Sequence, residues 1–241
     1  MRKAQHMTSA YDPTERQPIS SLSDITAADI ASRVDHTLLK PEASAEAIDQ
    51  LCAEAREHGF ASVCVNGLWV ARAAEALAGS DVLVCAVVGF PLGASTPEAK
   101  AWEAREAIRS GAQEIDMVLD IAAARAGDRP TMEHDVRTVA EAVHEGGAQL
   151  KTIIETCLLE DSQKTVACEA AVAGGTDYVK TSTGFSTGGA TVQDVELMRA
   201  AVGRGIGVKA SGGIRTHEAA VEMLRAGASR IGASAGAALL G

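Results

Sequence analysis

Short apolar runs alternate with longer amphipathic segments along most of this sequence. From about residue 32 onward, each run rich in Val, Ile and Leu is followed by a turn, by a stretch rich in Ala, Glu and Arg, and by a break such as Gly-Ala. This alternation is typical of buried parallel strands that are connected by helices. The pattern predicts eight strands, in the segments SRVDHTLL, ASVCVN, VLVCAVVGF, EIDMVLD, QLKTIIET, DYVKTSTG, GVKASGG and SRIGAS.

Capping residues predict where three of the intervening helices begin. The run Thr96–Glu98 combines an N-cap, a proline at the first helical position and an early acid. Thr191, with Asp194 three residues later, has the spacing of a capping box. Thr216 precedes another acid by two residues, which predicts a third helix start.

Eight strand–helix units over roughly 210 residues fit a single closed (β/α)8 TIM barrel, an α/β fold. The rival is an open, doubly wound sheet, but no Gly-x-Gly-x-x-Gly follows the first strand. Glycines at strand ends come late instead, in the sixth to eighth units, where barrels often bind phosphate. We therefore predict one barrel domain over residues 21–241, preceded by a flexible N-terminal arm over residues 1–20.

The composition excludes several classes of function. The chain has 241 residues, of which 46% are hydrophobic, and a net charge of −10, so it lacks the basic face that nucleic acids require. An acidic protein can still hold a small anion at a local site. Five scattered cysteines without a Cys-x-x-Cys pair are typical of reduced thiols. With no long apolar run and no secretory signal, we expect a cytoplasmic protein without a membrane partner.

Two lysines end apolar runs that otherwise have the composition of buried strands. Lys180 lies in DYVKTSTG, and Lys209 holds a comparable place in GVKASGG. The sixth and seventh strands of a barrel are neighbours, so the two amines are expected to lie several ångströms apart. Burial and a neighbouring cation both favour a neutral amine, which can attack a carbonyl to form a Schiff base. Two solvent-facing lysines, or two phosphate binders, are the alternatives left open.

Acidic residues also interrupt the apolar runs. Asp116 lies in EIDMVLD, where strand alternation turns it into the barrel, and a buried carboxylate there needs a cationic partner. It serves either as a proton shuttle or as half of a structural ion pair. For Asp35, nearer the middle of the first strand, the alternatives are a functional role and hydrogen bonding within the barrel. Lys151 and Glu155 have even spacing in LKTIIET, which favours a plain buried ion pair between them.

Small residues end the last three predicted strands. These are the triplets Ser182–Gly184, Ser211–Gly213 and Gly232–Ser234. Glycine lets backbone N–H groups approach an anion closely, and a following helix N-terminus favours negative charge. The three triplets together predict a phosphate site, although each alone is equally typical of a tight turn. Cys64, at the end of the second strand, is more typical of a small buried side chain than of a ligand contact.

Six motifs together resemble the deoxyribose-phosphate aldolases. They are DHTLLKP, EIDMV, LKTIIETCLL, YVKTSTGFSTGGAT, VKASGGIRT and RIGAS, and they run in the family's order from about Val34 to the C-terminus. The segment VKTSTGF is specific, whereas SGG or GAS alone is not. The resemblance implies a (β/α)8 class I aldolase without metal or cofactor. It also implies reversible cleavage of a small sugar phosphate, 2-deoxy-D-ribose 5-phosphate, to D-glyceraldehyde 3-phosphate and acetaldehyde, in deoxynucleoside breakdown.

The resemblance further implies a role for each matching residue. Lys180 corresponds to the Schiff-base lysine, Lys209 to the neighbour that lowers its pKa, and Asp116 to the proton shuttle. Ala235 departs from the pattern, because some relatives have a second serine there, and one hydroxyl donor to the phosphate is absent. Contacts to the substrate or support of its site are implied for Asp35, Thr37, Cys64, Lys151, Gly184, Gly212, Gly213, Gly232 and Ser234.

Two other functions stay open at this point. A phosphate-binding barrel isomerase or a different aldolase would use the lysines only to hold an anion or another substrate. A non-catalytic sugar-phosphate sensor would bind the same ligand without turnover. Two lysines and an acid in one mouth disfavour the sensor, because binding alone needs no neutral amine. The sequence leaves open whether the protein forms a homodimer.

Overall fold

A computed structural model describes residues 17–19 and 25–241, so most of the predicted arm lies outside the described residues. Within them, eight parallel strands close into a barrel in chain order. The predicted TIM barrel and its eight strands are confirmed. The strands are β1 (Val34–Leu38), β2 (Ser62–Val65), β3 (Leu83–Val88), β4 (Glu114–Val118), β5 (Gln149–Ile153), β6 (Tyr178–Lys180), β7 (Gly207–Ser211) and β8 (Arg230–Ala233).

Helices cover the outside of the barrel and connect successive strands. Short 3-10 segments lie at Gly67–Trp69, Thr156–Leu158 and Gly236–Leu239. In the part of the chain that the structure describes, no helix has the length and apolarity that a membrane crossing needs. The α-helices are α1 (Ala27–Ala31), α2 (Ala45–His58), α3 (Val70–Ala76), α4 (Pro97–Arg109), α5 (Ile121–Ala126), α6 (Arg129–Glu145), α7 (Asp161–Gly174), α8 (Val192–Val202) and α9 (His217–Arg225).

The predicted helix caps are present, with one difference. The hydroxyls of Thr96 and Thr216 accept hydrogen bonds from backbone N–H groups in the first turns of α4 and α9. Thr191 caps α8 in the same way by accepting from Asp194 N at 3.0 Å. A capping box would also have the Asp194 carboxylate accept from the Thr191 backbone N–H. That part of the prediction is wrong, because the Asp194 carboxylate pairs instead with Lys164 of α7 at 2.7 Å. A charged partner on a packed neighbouring helix is the stronger hydrogen-bond donor.

Alternate residues of each strand face two different buried layers. Ile115 and Met117 of β4 pack into the apolar layer between the sheet and the helices. Glu114 and Asp116 point the other way, and their ion pairs reach β8 and β7. Strands β4 and β8 lie on opposite sides of the closed barrel, so these contacts pass through its interior. The apolar core therefore lies outside the sheet, and the barrel interior is charged.

The Tyr178 ring occupies the interior near the start of β6 because Gly207, paired with it in register on β7, has no side chain. A Cβ on Gly207 would lie 2.0 Å from Cδ1 of the Tyr178 ring. Neighbouring cations stack near this ring, with Lys151 Nζ 5.9 Å and the Arg230 guanidinium 5.7 Å from its centroid. The absence of a side chain at Gly207 thus leaves room for the Tyr178 ring, against which Lys151 and Arg230 pack.

We expect Gly207→Ala to lower the free energy of unfolding by about 2–3 kcal/mol, because the added methyl group would displace the Tyr178 ring in a packed interior. Gly205→Ala is the matched control, since a Cβ there would meet nothing within 4 Å, and its effect should stay within about 0.5 kcal/mol. Chemical denaturation of the three proteins measures both. Equal stability of Gly207→Ala and wild type would contradict this packing.

Candidate active site

Two lysines and one carboxylate meet inside the barrel near the ends of β6 and β7. Lys180 and Lys209 are paired directly in register. Both donate to the same oxygen, Asp116 Oδ2, from distances of 2.6 Å for Lys180 Nζ and 2.7 Å for Lys209 Nζ. The two nitrogens therefore lie no farther apart than the sum of these distances, and the predicted approach of the two amines is confirmed. All three side chains are buried, and only Lys180 retains some exposure, at 3%.

A second set of ion pairs supports this trio. Asp35 pairs with Lys209, and its Oδ1 accepts from Arg230 Nη1 at 2.7 Å. Arg230 Nη2 donates to Glu114 Oε1 at 2.9 Å. The other oxygen of Glu114 accepts from Lys151 Nζ at 2.5 Å. The network thus crosses the barrel from β8 to β4 and continues to Lys151 on the neighbouring strand β5.

Lys151 joins this supporting set to the trio of Lys180, Lys209 and Asp116, because its Nζ also lies 3.2 Å from Asp116 Oδ1. Burial pushes the pKa of Asp116 upward, but the charges of Lys151, Lys180 and Lys209 outweigh burial and leave that pKa well below its ordinary value. Burial also raises the pKa of Asp35, but the surrounding cations lower it by more, so the net shift of the Asp35 pKa is downward. Both groups are therefore carboxylates at neutral pH.

Three of the interior cations hold their protons firmly. Burial lowers the pKa of Lys209, but the Asp116 and Asp35 carboxylates raise it by more, so the net shift is upward. The same balance operates at Lys151 and Arg230, whose pKa values lie well above their ordinary values. These three side chains are cations throughout the physiological pH range.

Lys180 is the basic group in excess. Three carboxylates, those of Asp35, Glu114 and Asp116, face four basic side chains in the interior. Since the other three cations keep their protons, they already match the three carboxylates. A proton on Lys180 adds an unmatched positive charge to a buried site, which is costly. Lys180 is thus the one basic side chain of the four that the three carboxylates do not need as a counter-charge.

The side of the mouth formed by the first three strands is apolar. Leu39, Cys64, Cys85 and Val87 form a small buried cluster, and Phe90 packs against it. The predicted description of Cys64 as a small buried side chain is confirmed, since it is fully buried. Its neighbour in the cluster, Cys85, nevertheless contacts the charged network, because Cys85 Sγ lies 3.2 Å from an Asp116 oxygen.

Two cysteines and Asp116 form the candidate metal-ligand group of the described residues. The sulfurs of Cys64 and Cys85 and a carboxylate oxygen of Asp116 lie within 4.8 Å of one another. A hydrogen bond with Cys85 lowers the pKa of Cys64, whereas burial raises that of Cys85 well above its ordinary value. Three lysine amines surround Asp116, and like charge repels a divalent cation. The arrangement suits proton transfer better than metal binding.

The predicted glycine loops surround the same mouth. Gly184 follows β6, while Gly212 and Gly213 follow β7, with φ values of +82°, +88° and +82° that favour glycine. A Cβ on Gly184 or Gly213 would meet nothing within 4 Å, so the backbone there is open to approach. Ser234 is exposed just after β8 and precedes the 3-10 segment Gly236–Leu239. These loops have the composition and place of a phosphate site.

Gly232 has a packing role that the sequence does not predict. It lies within β8 and not in a loop, and a Cβ on it would lie 2.9 Å from Ser211 Cβ and 3.2 Å from Lys209 Cε. Its missing side chain makes room for the Lys209 stem. Thr37 lies two residues beyond Asp35 on β1, and its hydroxyl donates to the Asp35 backbone oxygen at 2.8 Å.

The predicted ion pair between Lys151 and Glu155 is wrong. Lys151 pairs with Glu114, and the Glu155 carboxylate accepts hydrogen bonds from Thr183 in the loop after β6. The even spacing fails as a guide because β5 ends at Ile153 and Glu155 has a left-handed backbone conformation, with φ +54°. Strand alternation does not extend through such a residue.

A family model accounts for nearly the whole described chain. The model of the DeoC/LacD family aldolases matches residues 30–240. The chain belongs to the DeoC/LacD family of aldolases. It is therefore an aldolase, an enzyme of the lyase class.

Individual aldolases of the family match with similar extent. The deoxyribose-phosphate aldolase of Brevibacillus brevis is 60% identical over 207 residues, which cover 86% of this chain and 93% of the relative. That of Micrococcus luteus is 58% identical over 223 residues, covering 90% and 97%. The tetrameric structure of deoxyribose phosphate aldolase from Aeropyrum pernix superimposes with a TM-score of 0.84 at 32% identity, covering 95% and 93%.

Sequence reasoning misses three members of this aldolase's interior. Glu114 precedes Asp116 by two residues, and Arg230 precedes Gly232 by two, so strand alternation is the signal that predicts both to face the barrel. Cys85 sits in the apolar run VLVCAVVGF and gives no signal that separates it from an ordinary core residue.

Proposed function

We propose that this aldolase reversibly cleaves 2-deoxy-D-ribose 5-phosphate to D-glyceraldehyde 3-phosphate and acetaldehyde through a Schiff base on Lys180. The observation that carries the proposal is the excess amine of Lys180, held 2.6 Å from a carboxylate in a buried, charge-balanced site. Imine formation needs an amine nucleophile, and Lys180 is the basic side chain that this charge balance leaves over. The curated relatives from Brevibacillus brevis and Micrococcus luteus both carry the name deoxyribose-phosphate aldolase.

Imine formation follows from the contacts of Lys180. Its neutral amine attacks C1 of the open-chain sugar aldehyde, the resulting oxyanion takes up a proton from solvent to become a hydroxyl, and Asp116 takes the proton that the nitrogen loses. The carbinolamine then loses its hydroxyl as water when Asp116 returns that proton to the departing oxygen. Lys209 remains charged beside them, which disfavours a second ammonium at Lys180. Lys151 holds the far oxygen of Asp116 and fixes the carboxylate for both transfers.

Carbon–carbon cleavage uses the imine as an electron sink. A base takes the proton of the C3 hydroxyl, the C2–C3 bond breaks, and its electron pair passes to the iminium nitrogen as an enamine. Glyceraldehyde 3-phosphate carries C3 to C5 away. The enamine takes up a proton at C2, and water attacks C1 to release acetaldehyde and the free Lys180 amine. The apolar cluster of Leu39, Cys64, Cys85 and Val87 suits the two-carbon fragment, which has no polar group beyond C1.

Product analysis tests this assignment against the two alternatives. Incubation with 2-deoxyribose 5-phosphate should yield acetaldehyde and glyceraldehyde 3-phosphate in equal amounts. An isomerase would convert the sugar without releasing a two-carbon product, and a sensor would leave it unchanged. Detection of either alternative outcome would overturn the proposed reaction.

We also propose that the glycine loops bind the substrate's phosphate, so unphosphorylated 2-deoxyribose should be cleaved much more slowly than its 5-phosphate. Binding energy from a remote group orients the reacting carbonyl and can raise kcat as well as lower KM. Gly213→Val should erode this preference by about 10- to 100-fold, because a β-branched residue resists φ near +82° and would shift the backbone donors. The measurement is kcat/KM for both sugars.

Gly147→Val is the matched control for that experiment. Gly147 also has positive φ, +75°, and open space at its Cβ position, but it lies between α6 and β5 at the opposite end of the barrel. The substitution brings similar backbone strain and should leave the ratio of the two kcat/KM values unchanged. Equal proportional losses for both sugars in Gly213→Val would show that the glycine serves the turn alone, and the phosphate assignment would be dropped.

We further propose a cytoplasmic enzyme of deoxynucleoside breakdown, acting on a small sugar phosphate and not on nucleic acid or a membrane. All five cysteines are free, and Cys157 is exposed, which supports a reducing compartment. The acidic net charge of −10 is in keeping with a small-molecule substrate held at a local site.

A further inference from the structure

Glu155 has a backbone conformation that favours glycine. Its φ and ψ are +54° and +65°, in the left-handed region. Among the described residues it is the one non-glycine residue with positive φ. A residue with a Cβ is disfavoured there, and such outliers persist where the surrounding structure uses the side chain. The question is therefore what the Glu155 carboxylate does.

The Glu155 carboxylate holds the loop that follows the catalytic strand. It is buried, with the residue 3% exposed. It accepts from Thr183 N at 3.2 Å and from the Thr183 hydroxyl at 2.5 Å. The same hydroxyl oxygen accepts in turn from Phe185 N at 3.0 Å. The carboxylate therefore fixes Thr183, and the Thr183 hydroxyl in turn binds the backbone on the other side of Gly184.

The backbone around Glu155 is anchored to the strand of Lys180. Ile154 N donates to the Lys180 backbone oxygen at 3.0 Å, and Thr156 N donates to Thr181 O at 2.9 Å. The pairing between the two segments thus continues on both sides of Glu155. The left-handed residue between them turns its side chain along the mouth toward Thr183 and away from Lys151.

The far side of the same loop has an aromatic contact across the mouth. The rings of Phe185 and Phe90 meet edge to face, with centroids 5.2 Å apart. Phe90 belongs to the connection after β3, whereas Phe185 follows β6. Residues 183–185 are therefore held at both ends, by a buried carboxylate at Thr183 and by a ring at Phe185.

We propose that Glu155 is a positioning residue for phosphate recognition, which acts by fixing Thr183 and thereby the open backbone of Gly184. The inference rests on the proposed function, because it assumes that this loop receives the substrate's phosphate. It assigns no chemical step to Glu155. Loss of the carboxylate should weaken the phosphate-dependent part of catalysis and leave the reactivity of Lys180 intact.

Glu155→Gly separates this role from that of a plain turn residue. Glycine adopts φ +54° without strain, so a position that serves only the turn should gain or keep stability and activity. We expect instead that kcat/KM for 2-deoxyribose 5-phosphate falls by about 10- to 100-fold, since loss of positioning far from the reacting atoms can cost this much. The value for unphosphorylated 2-deoxyribose should stay close to that of wild type.

Two substitutions at Thr183 test the same hydrogen bonds without changing Glu155. Thr183→Ser keeps both hydrogen bonds to Glu155 and should retain the wild-type preference for the phosphorylated sugar. Thr183→Val keeps the size and the N–H but removes the hydroxyl, and it should lose part of the preference. Thermal melting of each variant checks that the barrel is folded.

Trapping with acetaldehyde and borohydride measures the reactivity of Lys180 with a substrate that has no phosphate. All these variants should form the reduced adduct on Lys180 at the wild-type rate. Slower trapping, or equal losses for both sugars, would mean that Glu155 acts on the catalytic strand and would overturn the proposal. Unchanged preference in Glu155→Gly and Thr183→Val would overturn it as well. Failure of the Schiff-base assignment itself would appear in the wild type, as absence of any adduct.

Discussion

Lys180→Arg is expected to abolish aldol cleavage, with a loss in kcat on the order of 10⁴-fold or more, as when other enzymes lose a covalent nucleophile. Arginine preserves a positive charge beside Asp116, so the interior ion pairs lose little. The guanidinium stays protonated at any usable pH and cannot form an imine with the sugar aldehyde. The measurement is release of acetaldehyde from 2-deoxyribose 5-phosphate under saturating substrate.

Lys164→Arg is the matched control for that substitution. Lys164 lies on α7 and pairs with Asp194 of α8 outside the barrel, so the same chemical change should leave kcat within a factor of about two. Near-normal turnover in Lys180→Arg, with both proteins folded, would exclude Lys180 as the nucleophile.

Lys209→Leu is expected to lower kcat by about 100-fold at pH 7, since a neighbouring charge shifts a titration by 1–3 pH units. Without Lys209, the three interior carboxylates face only Lys151, Arg230 and Lys180, so the proton on Lys180 is no longer in excess. The amine then remains an ammonium and cannot attack. Because higher pH removes that proton, activity should return in part as pH rises, and the pH–rate profile should shift to the alkaline side.

Lys209→Arg tests whether charge is the cause. It keeps the cation opposite Asp35 and Asp116, so its pH profile should resemble that of wild type even if the bulkier group lowers kcat. A low and flat profile in Lys209→Leu, with folding retained, would contradict the electrostatic role and indicate that Lys209 acts by direct contact with the substrate.

The fold was accessible from the sequence because parallel strands buried on both faces leave uniform apolar runs. The pairing of Lys180 with Lys209 followed from the same fact, since comparable places in neighbouring parallel strands become register partners. Asp116 was found because a carboxylate in an apolar strand has to meet a cation. These are consequences of local pattern and of strand order alone.

The cross-barrel contacts were not accessible in that way. Arg230 and Glu114 are 116 positions apart in the sequence. The alternation of side chains along a strand predicts that each faces the barrel interior, but it does not predict that they pair with each other. The room that Gly232 leaves for the Lys209 stem gives no sequence signal either, because that stem comes from another strand. The predicted pairing of Glu155 with Lys151 fails because Glu155 has a left-handed backbone conformation, which ends the alternation of side chains along β5.

Trapping the imine shows which lysine reacts with the aldehyde. The protein is incubated with acetaldehyde, reduced with borohydride, digested and mapped by mass spectrometry. We expect a stable N-ethyl group on one residue, Lys180, that does not form without acetaldehyde or in Lys180→Arg. The buried cations Lys151 and Lys209 should remain unmodified, because they keep their protons. An adduct on either of them in place of Lys180, or none at all, would contradict the assignment of Lys180 as the amine that carries the reaction.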